Sequence, residues 1–560
     1  MTTTSDVIVD ALARAGIRYV FGYPGGQNMR FIEAMRGSPV EFVLVTHEAC
    51  AGFMADVAAR LTGRPGACLS TLGPGATNLT TGVGNAFLDR VPMLAFTGTM
   101  GRKWRGRTVQ MQIDHRTLFA PLTKWSAEIE TRSAWETMAK ALEVAQAEQP
   151  GPVHLDFPED VAEEDAQGTV QDAQGTRHKA QGNMHHAQGT MPDAEGRVRG
   201  AGATAEEGAV AAETLCRIEE LLRAARRPLV AVGLTMNRAG ATDSLRAFVE
   251  RHRLPVVSTL MAKGQVLDAS PNFVGVLGRA KRQVVAEFCE PADLVLAIGY
   301  DPVEFNYEDW VRRDLPIVHI DTVPADLDDE HVLAAQAVGN IGATLRHLTA
   351  IAPLEHEWDV ATIRPHRDRL HAVLTPAGPG FRPHQVLEAM RALLPADGIL
   401  VSDVGAHTHL IGQLWDTHGP GKLLVSNGWS SMGFCVPAAI AAKLVRPEQA
   451  VAACTGDGGF LMMAGEVNTA VRLRLPVVFV VLRDRYLSLI RVKQNRRGFP
   501  WQGVELLGEN YRPSDNLFGA PVLVAACEES FRAAFADALA APGPTVIEAV
   551  VDPSEYDEVV

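Results

Sequence analysis

One segment constrains the fold of this chain more than any other: residues 456–484, "GDGGFLMMAGEVNTAVRLRLPVVFVVLRD". The run "AVAACT" just before it predicts a buried strand, the middle of the segment has helical periodicity, and the β-branched run "PVVFVVL" predicts a second strand. A strand, a helix and a parallel strand form a right-handed βαβ unit, in which both strands end at the same edge of the sheet. Asp457 and Asp484 follow these two strands, so we expect them to lie side by side.

Two carboxylates at this edge indicate a particular chemistry. Ligands bind at the carboxyl ends of strands in open α/β sheets, and a helix N-terminus favours phosphate. The glycines of the turn, Gly456, Gly458 and Gly459, free the backbone for tight curvature. Two like charges 4 Å apart cost about 4 kcal/mol at an effective dielectric of about 20, and Mg²⁺ removes this conflict because it binds carboxylate and phosphate oxygens. The segment therefore predicts a Mg²⁺–diphosphate site, with two solvated turn aspartates as the alternative.

Composition excludes several classes of protein. The formal net charge of −14 argues against a general binder of nucleic acid or of anionic membranes. No apolar run approaches the roughly 18 residues that span a bilayer, and the first residues lack the pattern of a signal peptide. The seven cysteines are scattered without a CxxC pair, which is typical of free thiols. We therefore expect a cytoplasmic protein.

Short β-type runs alternate with helical stretches in three successive parts of the 560-residue chain. This rhythm predicts the α/β class, with three successive doubly wound parallel-sheet domains. Between the first two parts, Ala-Gln-Gly recurs every seven residues without the apolar positions of a coiled coil, which predicts a flexible insertion. Its pair His185 and His186 offers a metal site or, alternatively, two solvated side chains. The predicted division is residues 1–162 for the first domain, 163–205 for the insertion, 206–350 for the central domain, 351–382 for a linker and 383–560 for the third domain.

Further motifs extend this pattern over nearly the whole chain outside 163–205. They are "VFGYPGG" at 20–26, "THEACAGFMADVAARLTGRPG" at 46–66, "GPGATN" at 73–78, "SDVGAH" at 402–407 and "GWSSMGFCVPAAIAAKL" at 428–444. Together with the Gly-Asp-Gly segment, these motifs resemble the thiamine diphosphate-dependent enzymes, and among them the acetolactate synthases. The resemblance implies a pyrimidine-binding (PYR) domain, a central domain and a diphosphate-binding (PP) domain. It also implies thiamine diphosphate and Mg²⁺ as cofactors and at least a homodimer.

The resemblance assigns roles to residues of the first domain. Glu48 matches the glutamate that hydrogen-bonds N1′ of the cofactor's aminopyrimidine, usually across a dimer interface, where a carboxyl group shuttles a proton. Pro74 and Asn78 match positions near the pyrimidine. Gln110 and Gln112 both lie where relatives carry a glutamine close to the reacting carbon, and the sequence does not choose between them.

The resemblance also assigns roles in the third domain. Met432 matches the bulky residue that wedges under the cofactor and forces its bent conformation. Tyr486 would give its main-chain carbonyl to the metal beside Asp457 and Asp484. The remaining cofactor-binding candidates are Gly405, Ala406 and His407 at the diphosphate, Gly428 in the motif of Met432, and Leu489 and Ile490 along the pocket.

Some positions depart from the biosynthetic relatives. Many relatives have asparagine where this chain has Asp484, and aspartate here resembles the catabolic, flavin-independent branch. The stretch "IGYDPVEF" at 298–305, followed by Trp310, resembles the same branch, so we expect no bound FAD. Lys493 stands where biosynthetic relatives place a tryptophan that shapes the second-substrate pocket. Its ammonium group either binds an anion or points to water.

The expected activity is that of a 2-keto-acid decarboxylating carboligase, which converts two pyruvate molecules into 2-acetolactate and CO₂. Alternatives within the superfamily are a 2-keto-acid decarboxylase, a sulfoacetaldehyde acetyltransferase and an acyl-CoA lyase; the lack of a His-His pair in the first domain favours carboligation. A non-catalytic nucleotide-binding regulatory protein is disfavoured because Glu48, Met432 and Asp457 are all present. A dehydrogenase is disfavoured because no GxGxxG motif opens a βαβ unit.

Overall fold

A computed structural model describes residues 2–166 and 210–560 of the chain. Three sheets, almost entirely parallel and flanked by helices, follow one another along the sequence. The predicted fold class, three successive α/β domains, is therefore confirmed. Within the described ranges, no helix is long and apolar enough to cross a membrane.

The first domain is built on six parallel strands. The strands are β1 Tyr19–Gly22, β2 Glu41–Leu44, β3 Gly66–Ser70, β4 Met93–Thr99, β5 Trp125–Glu128 and β6 Pro152–Pro158. The helices are α1 Thr4–Arg14, α2 Met29–Met35, α3 Glu48–Thr62, α4 Pro74–Leu88, α5 His115–Phe119, α6 Ala134–Gln146 and α7 Glu159–Glu163. The strand order β2-β1-β3-β4-β6-β5 brings the loops after β1, β2 and β3 to one edge of the sheet.

The central domain also has six parallel strands. They are β7 Pro228–Val232, β8 Val256–Ser258, β9 Phe273–Val276, β10 Leu294–Ile298, β11 Ile317–Asp321 and β12 Leu333–Val338, in the order β12-β11-β10-β7-β8-β9. The helices are α8 Ala212–Ala224, α9 Met236–Ala239, α10 Thr242–His252, α11 Arg282–Cys289 and α12 Ile341–Ala350. Because the chain winds outward from β7 in both directions, this is a doubly wound sheet.

The third domain has seven strands. They are β13 Ile399–Ser402, β14 Leu423–Val425, β15 Val451–Gly456, β16 Val477–Arg483, β17 Asn516–Leu517, β18 Ala520–Ala525 and β19 Thr545–Val550, in the order β14-β13-β15-β16-β19-β18-β17. Only the short β17 is antiparallel to its neighbour. The helices are α14 Pro383–Leu393, α15 Ala406–Leu414, α16 Cys435–Val445, α17 Asp457–Met463, α18 Val467–Arg472, α19 Ser488–Arg496, α20 Glu528–Ala540 and α21 Ser554–Val559.

Two predicted boundaries differ from the structure. The first domain continues past residue 162, because α7 ends at Glu163 and Asp165 forms a β-bridge with Thr3. The expected linker at 351–382 contains a further helix, α13 Ile363–Leu374, which buries Leu370 and Leu374 against the core. From residue 167 onward, the predicted insertion, which contains His185 and His186, lies outside the residues that the structure describes.

The first and third domains share one hydrophobic core. Helix α3 of the first domain packs against α4 and against α16, which lies on β13, β15 and β16 of the third domain. The rings of Phe53 and Phe434 meet edge to face, with centroids 5.5 Å apart. Arg60 joins the same contact by pairing with Asp56 and Asp89 and by donating to the carbonyl of Val425. This buried packing fixes the orientation of the PYR-like and PP-like domains within one chain.

Candidate active site

Asp457 and Asp484 lie at the ends of two neighbouring strands, as the βαβ argument predicts. β15 and β16 are parallel and in register, with Gly456 opposite Leu482. The two aspartates are only 4% and 8% exposed. Burial, with repulsion from Asp484 added, raises the pKa of Asp457 to about 7, and burial raises the pKa of Asp484 to about 6. The negative charge of Asp484 therefore acts on the carboxyl group of Asp457.

Backbone and hydroxyl donors orient both carboxylates. Asp457 accepts from the N–H groups of Gly458 at 2.9 Å and Arg485 at 2.7 Å, one on each oxygen. Asp484 accepts from the N–H of Tyr486 at 2.8 Å and the hydroxyl of Ser488 at 2.7 Å. Arg485 adopts a left-handed conformation with φ of 73°, which a non-glycine residue keeps only where its surroundings hold it.

This donor set suits a hard divalent cation. Each carboxylate oxygen accepts one hydrogen bond and retains a second lone pair. In the described part of the chain, neither Asp457 nor Asp484 forms an ion pair. Arg491 acts on Asp484 electrostatically but pairs with Asp557. Two buried acids without an ion-pair partner ionise reluctantly, and a bound metal would supply positive charge in place of a proton.

A histidine without a hydrogen-bond partner at Nε2 lies beside this pair. His407 belongs to the first turn of α15, after β13, and is 4% exposed. Burial lowers its pKa to about 4, so its ring is neutral. A Cβ added at Gly405 would lie 2.8 Å from the ring, and one added at Gly456 would lie 3.8 Å away. Nε2 of His407 is buried and has no hydrogen-bond partner among the described residues. His407, which follows the buried Ala406, can therefore form a hydrogen bond with a ligand at this edge.

Met432 packs onto the turn that carries Asp457. A Cβ added at Gly458 would lie 3.0 Å from Met432 Cε, 2.9 Å from Leu487 and 3.1 Å from Leu506. Only glycine therefore fits at 458 without moving these side chains. Of the two predicted pocket residues on α19, Leu489 packs partly against the core and Ile490 is exposed.

Asp403 organises this site and was not among the predicted residues. Its carboxylate accepts from Gly433 N–H at 2.9 Å, from Val404 N–H at 2.9 Å and from the hydroxyl of Thr455 at 2.8 Å. Burial raises its pKa to about 6. A Cβ added at Gly459 would lie 2.0 Å from its Oδ2. Asp403 thus joins the end of β13 to the end of β15 and to the turn that contains Met432.

The predicted catalytic residue Glu48 is the first residue of α3 and is 8% exposed. Asn78 of α4 donates its Nδ2 to Glu48 Oε2 at 3.0 Å. A Cβ added at Gly75 would lie 3.2 Å from Glu48 Oε1, so the helix start fits closely around this carboxyl group. Pro74 precedes them as the exposed first residue of α4. The structure therefore brings together three of the residues assigned to the pyrimidine end.

The two candidate glutamines differ in environment. Gln110 is exposed, whereas Gln112 is half-buried and its Oε1 is buried without a partner. Met111 between them has a φ of 66°, and its carbonyl closes over Gly73, where an added Cβ would lie 2.3 Å from that oxygen. The loop 109–112 thus covers the turn that begins α4.

A buried polar network anchors that turn and was also missed. His115 accepts the N–H of Gly73 at Nε2, 3.1 Å away, and its Nδ1 lies 2.9 Å from Asp156. Thr97 bridges Asp156 to His154. Burial opposes ionisation of Asp156, but hydrogen bonds from the two histidines outweigh it and hold its pKa well below the usual range. These residues hold Gly73 in place through partners far apart in sequence.

Among the hydrogen bonds and ion pairs of the described residues, none joins a PYR-like candidate to a PP-like candidate. Glu48 has no contact with Asp457 or Asp484 among the hydrogen bonds and ion pairs of the described residues. The start of α3 instead meets the segment after α17, where Thr46 donates to the buried Glu466 at 2.6 Å. Gly428 lies against the first domain, since its N–H donates to Asp89 at 2.7 Å.

The fold defines the class of protein: a three-domain α/β enzyme whose candidate ligand site lies at the carboxyl edge of its third sheet. Three family descriptions match the three domains in order. Residues 2–118 match the N-terminal TPP binding domain of thiamine pyrophosphate enzymes, residues 215–348 match the central domain, and residues 403–549 match the C-terminal TPP binding domain.

Several known proteins are similar to this chain over nearly its whole length. It is 30% identical to the acetolactate synthase large subunit of Parasynechococcus marenigrum, over 97% of this chain and 86% of the relative. It is 28% identical to an acetolactate synthase of Bacillus subtilis, over 98% of this chain and 93% of the relative. It is also 28% identical to the catabolic acetolactate synthase of Raoultella terrigena, over 98% of this chain and 95% of the relative. The chain belongs to the thiamine pyrophosphate enzyme family, and it is a thiamine diphosphate-dependent carboligase of the acetolactate synthase-like group.

Proposed function

We propose that the protein condenses two molecules of pyruvate into 2-acetolactate with release of CO₂. The observation that carries this proposal is the buried pair Asp457 and Asp484 at neighbouring strand ends, where carboxylates without cationic partners suit a metal-bound diphosphate. The carboligase rather than a simple decarboxylase is supported by relatives named acetolactate synthase that align with 97% or more of the chain.

The third domain would hold the cofactor's diphosphate. Asp457, Asp484 and the carbonyl of Tyr486 would bind Mg²⁺, which takes about six oxygen ligands and therefore leaves positions for phosphate oxygens and water. The buried Nε2 of His407 would donate or accept one further hydrogen bond there. Met432 would support the middle of the cofactor from its position over Gly458.

Bound thiamine diphosphate supplies an electron sink that lets a 2-keto acid lose CO₂ and form a new carbon–carbon bond. The chain's own residues bind, orient and move protons around it. Glu48 would hold or release a proton at the pyrimidine ring, and Asn78 fixes the orientation of that carboxyl group. Gln110 and Gln112 remain the two candidates for contact with substrate near the reacting carbon.

We also propose that the enzyme works without FAD. The segment after β10 turns its aromatic residues inward: Trp310 donates to the hydroxyl of Tyr300 at 3.0 Å, and that hydroxyl donates to the carbonyl of Phe305 at 2.6 Å. The cavity beside it, lined by Asp301 and Asp321, has a volume of about 320 Å³. This volume is near the lower end of the roughly 300–1,000 Å³ that is typical of ligand sites, which disfavours a dinucleotide.

The proposed assembly is at least a homodimer in which Glu48 meets the PP domain of a second copy. Large apolar side chains next to the site residues are exposed in the single chain, among them Met29, Met111, Leu461 and Met462. Exposed apolar clusters of this kind mark protein contacts. The described cysteines are all free thiols, which supports the expected cytoplasmic location.

The test is a product assay with purified protein, thiamine diphosphate, Mg²⁺ and pyruvate. Release of CO₂ with 2-acetolactate as the main product is the expected result. Acetaldehyde as the main product would instead assign the decarboxylase activity, and no CO₂ release would overturn both. The absorbance spectrum of the same sample checks the proposal on FAD, because a bound flavin absorbs in the visible range.

A further inference from the structure

Arg279 of the central domain reaches the edge of the third sheet that carries the cofactor candidates. It follows β9, and its Nη2 donates to Oδ1 of Asn427 at 2.5 Å. Its aliphatic stem lies on α15, since a Cβ added at Gly412 would be 2.8 Å from Arg279 Cγ. Asn427 stands between the end of β14 and the turn that contains Met432. The guanidinium group therefore lies at the junction of two domains, beside the segment that supports the cofactor.

This cation has no ion-pair partner. Of the described residues, none offers a carboxylate within 4 Å of Arg279, and its Nε is buried without a hydrogen-bond acceptor. Glu304 acts on it electrostatically, but Glu304 already accepts from the hydroxyl of Thr259 at 2.6 Å and the N–H of Met261 at 2.9 Å. Burial also raises the pKa of Glu304 to about 7, so part of its charge is lost at neutral pH. Arg279 is half-buried with its Nε fully buried, and withdrawing a cation from water without pairing it with an anion is costly, so we expect this group to meet an anionic ligand.

A second donor without a partner lies next to this cation. Asn427 is 9% exposed, and its Nδ2 is buried without an acceptor. Apart from Glu304, the charged groups that act on this region are basic: burial, together with the charges of Arg279, Lys493 and Arg282, lowers the pKa of His409 to about 3. His409 is therefore neutral, while Lys493 and Arg282 are exposed cations at the outside of the same region. The junction therefore offers two donors without an acceptor, Arg279 Nε and Asn427 Nδ2, among mostly positive charges.

We propose that Arg279 and Asn427 Nδ2 form an anion subsite that binds the carboxylate of the acceptor 2-keto acid, with Lys493 at its outer rim. This inference rests on the proposed function, because it specifies the second substrate of that reaction. A guanidinium group matches a carboxylate in shape and charge, and charge-assisted hydrogen bonds are about twice as strong as neutral ones. The subsite therefore selects 2-keto acids over neutral aldehydes as acceptors.

The first test is a competition between two acceptors on the holoenzyme. With pyruvate as donor, pyruvate as acceptor gives 2-acetolactate and added acetaldehyde gives acetoin. Replacing Arg279 by Gln should raise the acceptor KM for pyruvate about 10-fold or more and shift products toward acetoin, because one charge-assisted hydrogen bond is lost. CO₂ release from the donor in a single turnover should persist. Arg279→Lys keeps the positive charge but lacks the planar guanidinium group. Its acceptor KM and its product ratio should lie between those of the wild type and Arg279→Gln.

The matched control is Arg282→Gln, which removes the same charge from an exposed position three residues away. It should leave the acceptor KM and the product ratio unchanged. If Arg279→Gln retains the wild-type acceptor KM and product ratio, the subsite is wrong, although the proposed function stands.

The second test measures binding without turnover. Oxamate, a carboxylate of pyruvate's size, should raise the melting temperature of the holoenzyme, and neutral oxamide should not. Arg279→Gln should raise the half-saturating oxamate concentration about 10-fold, and Arg282→Gln should not change it. Equal oxamate affinity in wild type and Arg279→Gln overturns the subsite. If oxamate binding depends on Arg279 but no 2-acetolactate forms, the proposed function fails and the anion subsite remains.

Discussion

At the scale of single residues, Asp457 and Asp484 combine a site for a cation with a cost in stability. Both carboxyl groups have pKa values raised above the roughly 3.9 of an unfolded aspartate. Between about pH 4 and pH 7 the native state therefore holds more protons than the unfolded state, and the stability of the metal-free protein falls as pH rises through this window. Metal binding needs the deprotonated forms, so it is strongest where the metal-free protein is penalised most.

This argument predicts that Mg²⁺ with thiamine diphosphate raises the melting temperature more at pH 7.5 than at pH 5.5. Asp457→Asn should lose most of this pH-dependent gain, and in metal-free protein at pH 7.5 it should melt at or above the wild type because one buried charge is gone. Thermal denaturation at both pH values measures it. The exposed Asp537→Asn on α20 serves as control and should behave like wild type. An equal gain at both pH values would contradict the metal assignment.

Glu48 carries the second prediction at this scale. Glu48→Gln keeps the shape of the side chain and an oxygen that accepts from Asn78, so cofactor binding and folding should persist. Turnover should fall about 100-fold or more, because proton transfer by a positioned side chain contributes about 10²–10⁴-fold. Steady-state rates and cofactor titration separate the two effects. Glu41→Gln, an exposed change on β2, should be silent, and wild-type turnover in Glu48→Gln would remove Glu48 from the mechanism.

Local patterns predict some of these residues and cannot predict others. Asp457 and Asp484 could be paired from sequence because one βαβ unit fixes their relation, and burial then gives them their raised pKa values. Asp403, His115 and Arg279 act through partners that are distant along the chain, such as Arg279 with Asn427, 148 residues away. No periodicity carries that information, since it arises only when separate strands and domains meet.

At the scale of elements, the first turn of α17, directly after β15, contains Gly458 and Gly459, which lie against other segments. Gly459 abuts the carboxylate of Asp403, which in turn holds Thr455 and Gly433. The first residues of α17 therefore depend on the absence of a side chain. The glycines of this motif have a packing role in addition to the curvature that the sequence indicates.

Gly459→Ala should destabilise the protein by about 1–3 kcal/mol, because a Cβ placed 2.0 Å from Asp403 forces a shift in a tightly packed site. It should also weaken cofactor binding, since Asp403 fixes the turn of Met432. Urea denaturation and cofactor titration measure the two effects. The control is Gly465→Ala, where an added Cβ meets only the hydroxyl of Thr46 at 3.6 Å. Equal stability of the two variants would show that the turn adapts.

Most strands could be predicted from apolar, β-branched runs, and the missed elements have physical explanations. β12 has alanine at three of its six positions and Gln336 at a fourth, and only Ala337 is buried, so its sequence lacks the run of large or β-branched residues that marks a core strand. Helix α13 has a proline and several basic residues near its start, yet Ile363, Leu370 and Leu374 recur on one face and are buried. The composition of 351–382 resembles a linker, but packing against the core decides the structure.

At the scale of the whole molecule, the packing of α3 on α16 determines which sites one chain can complete. This contact directs the start of α3 to Met463, the last residue of α17, and to Glu466 just after it, rather than to Asp457. The second copy proposed above would cover the apolar side chains that are exposed beside the site residues in the single chain. A second copy related by a twofold axis would cover both faces at once, because such an interface uses the same surface on each subunit.

The last prediction tests whether each active site combines residues of two subunits. The experiment combines two variants that are each expected to be inactive. If Glu48 serves the PP domain of the partner subunit, a heterodimer of Glu48→Gln with Asp457→Asn contains one doubly altered site and one intact site. Random assortment of co-expressed chains should then restore about a quarter of the wild-type activity, because half of the dimers are mixed and each has one working site. If each chain builds its own site, every site carries one lesion and activity stays at the level of the separate variants. Differently tagged chains allow the heterodimer to be purified, so its activity per dimer, expected at about half that of the wild type, distinguishes the two arrangements directly.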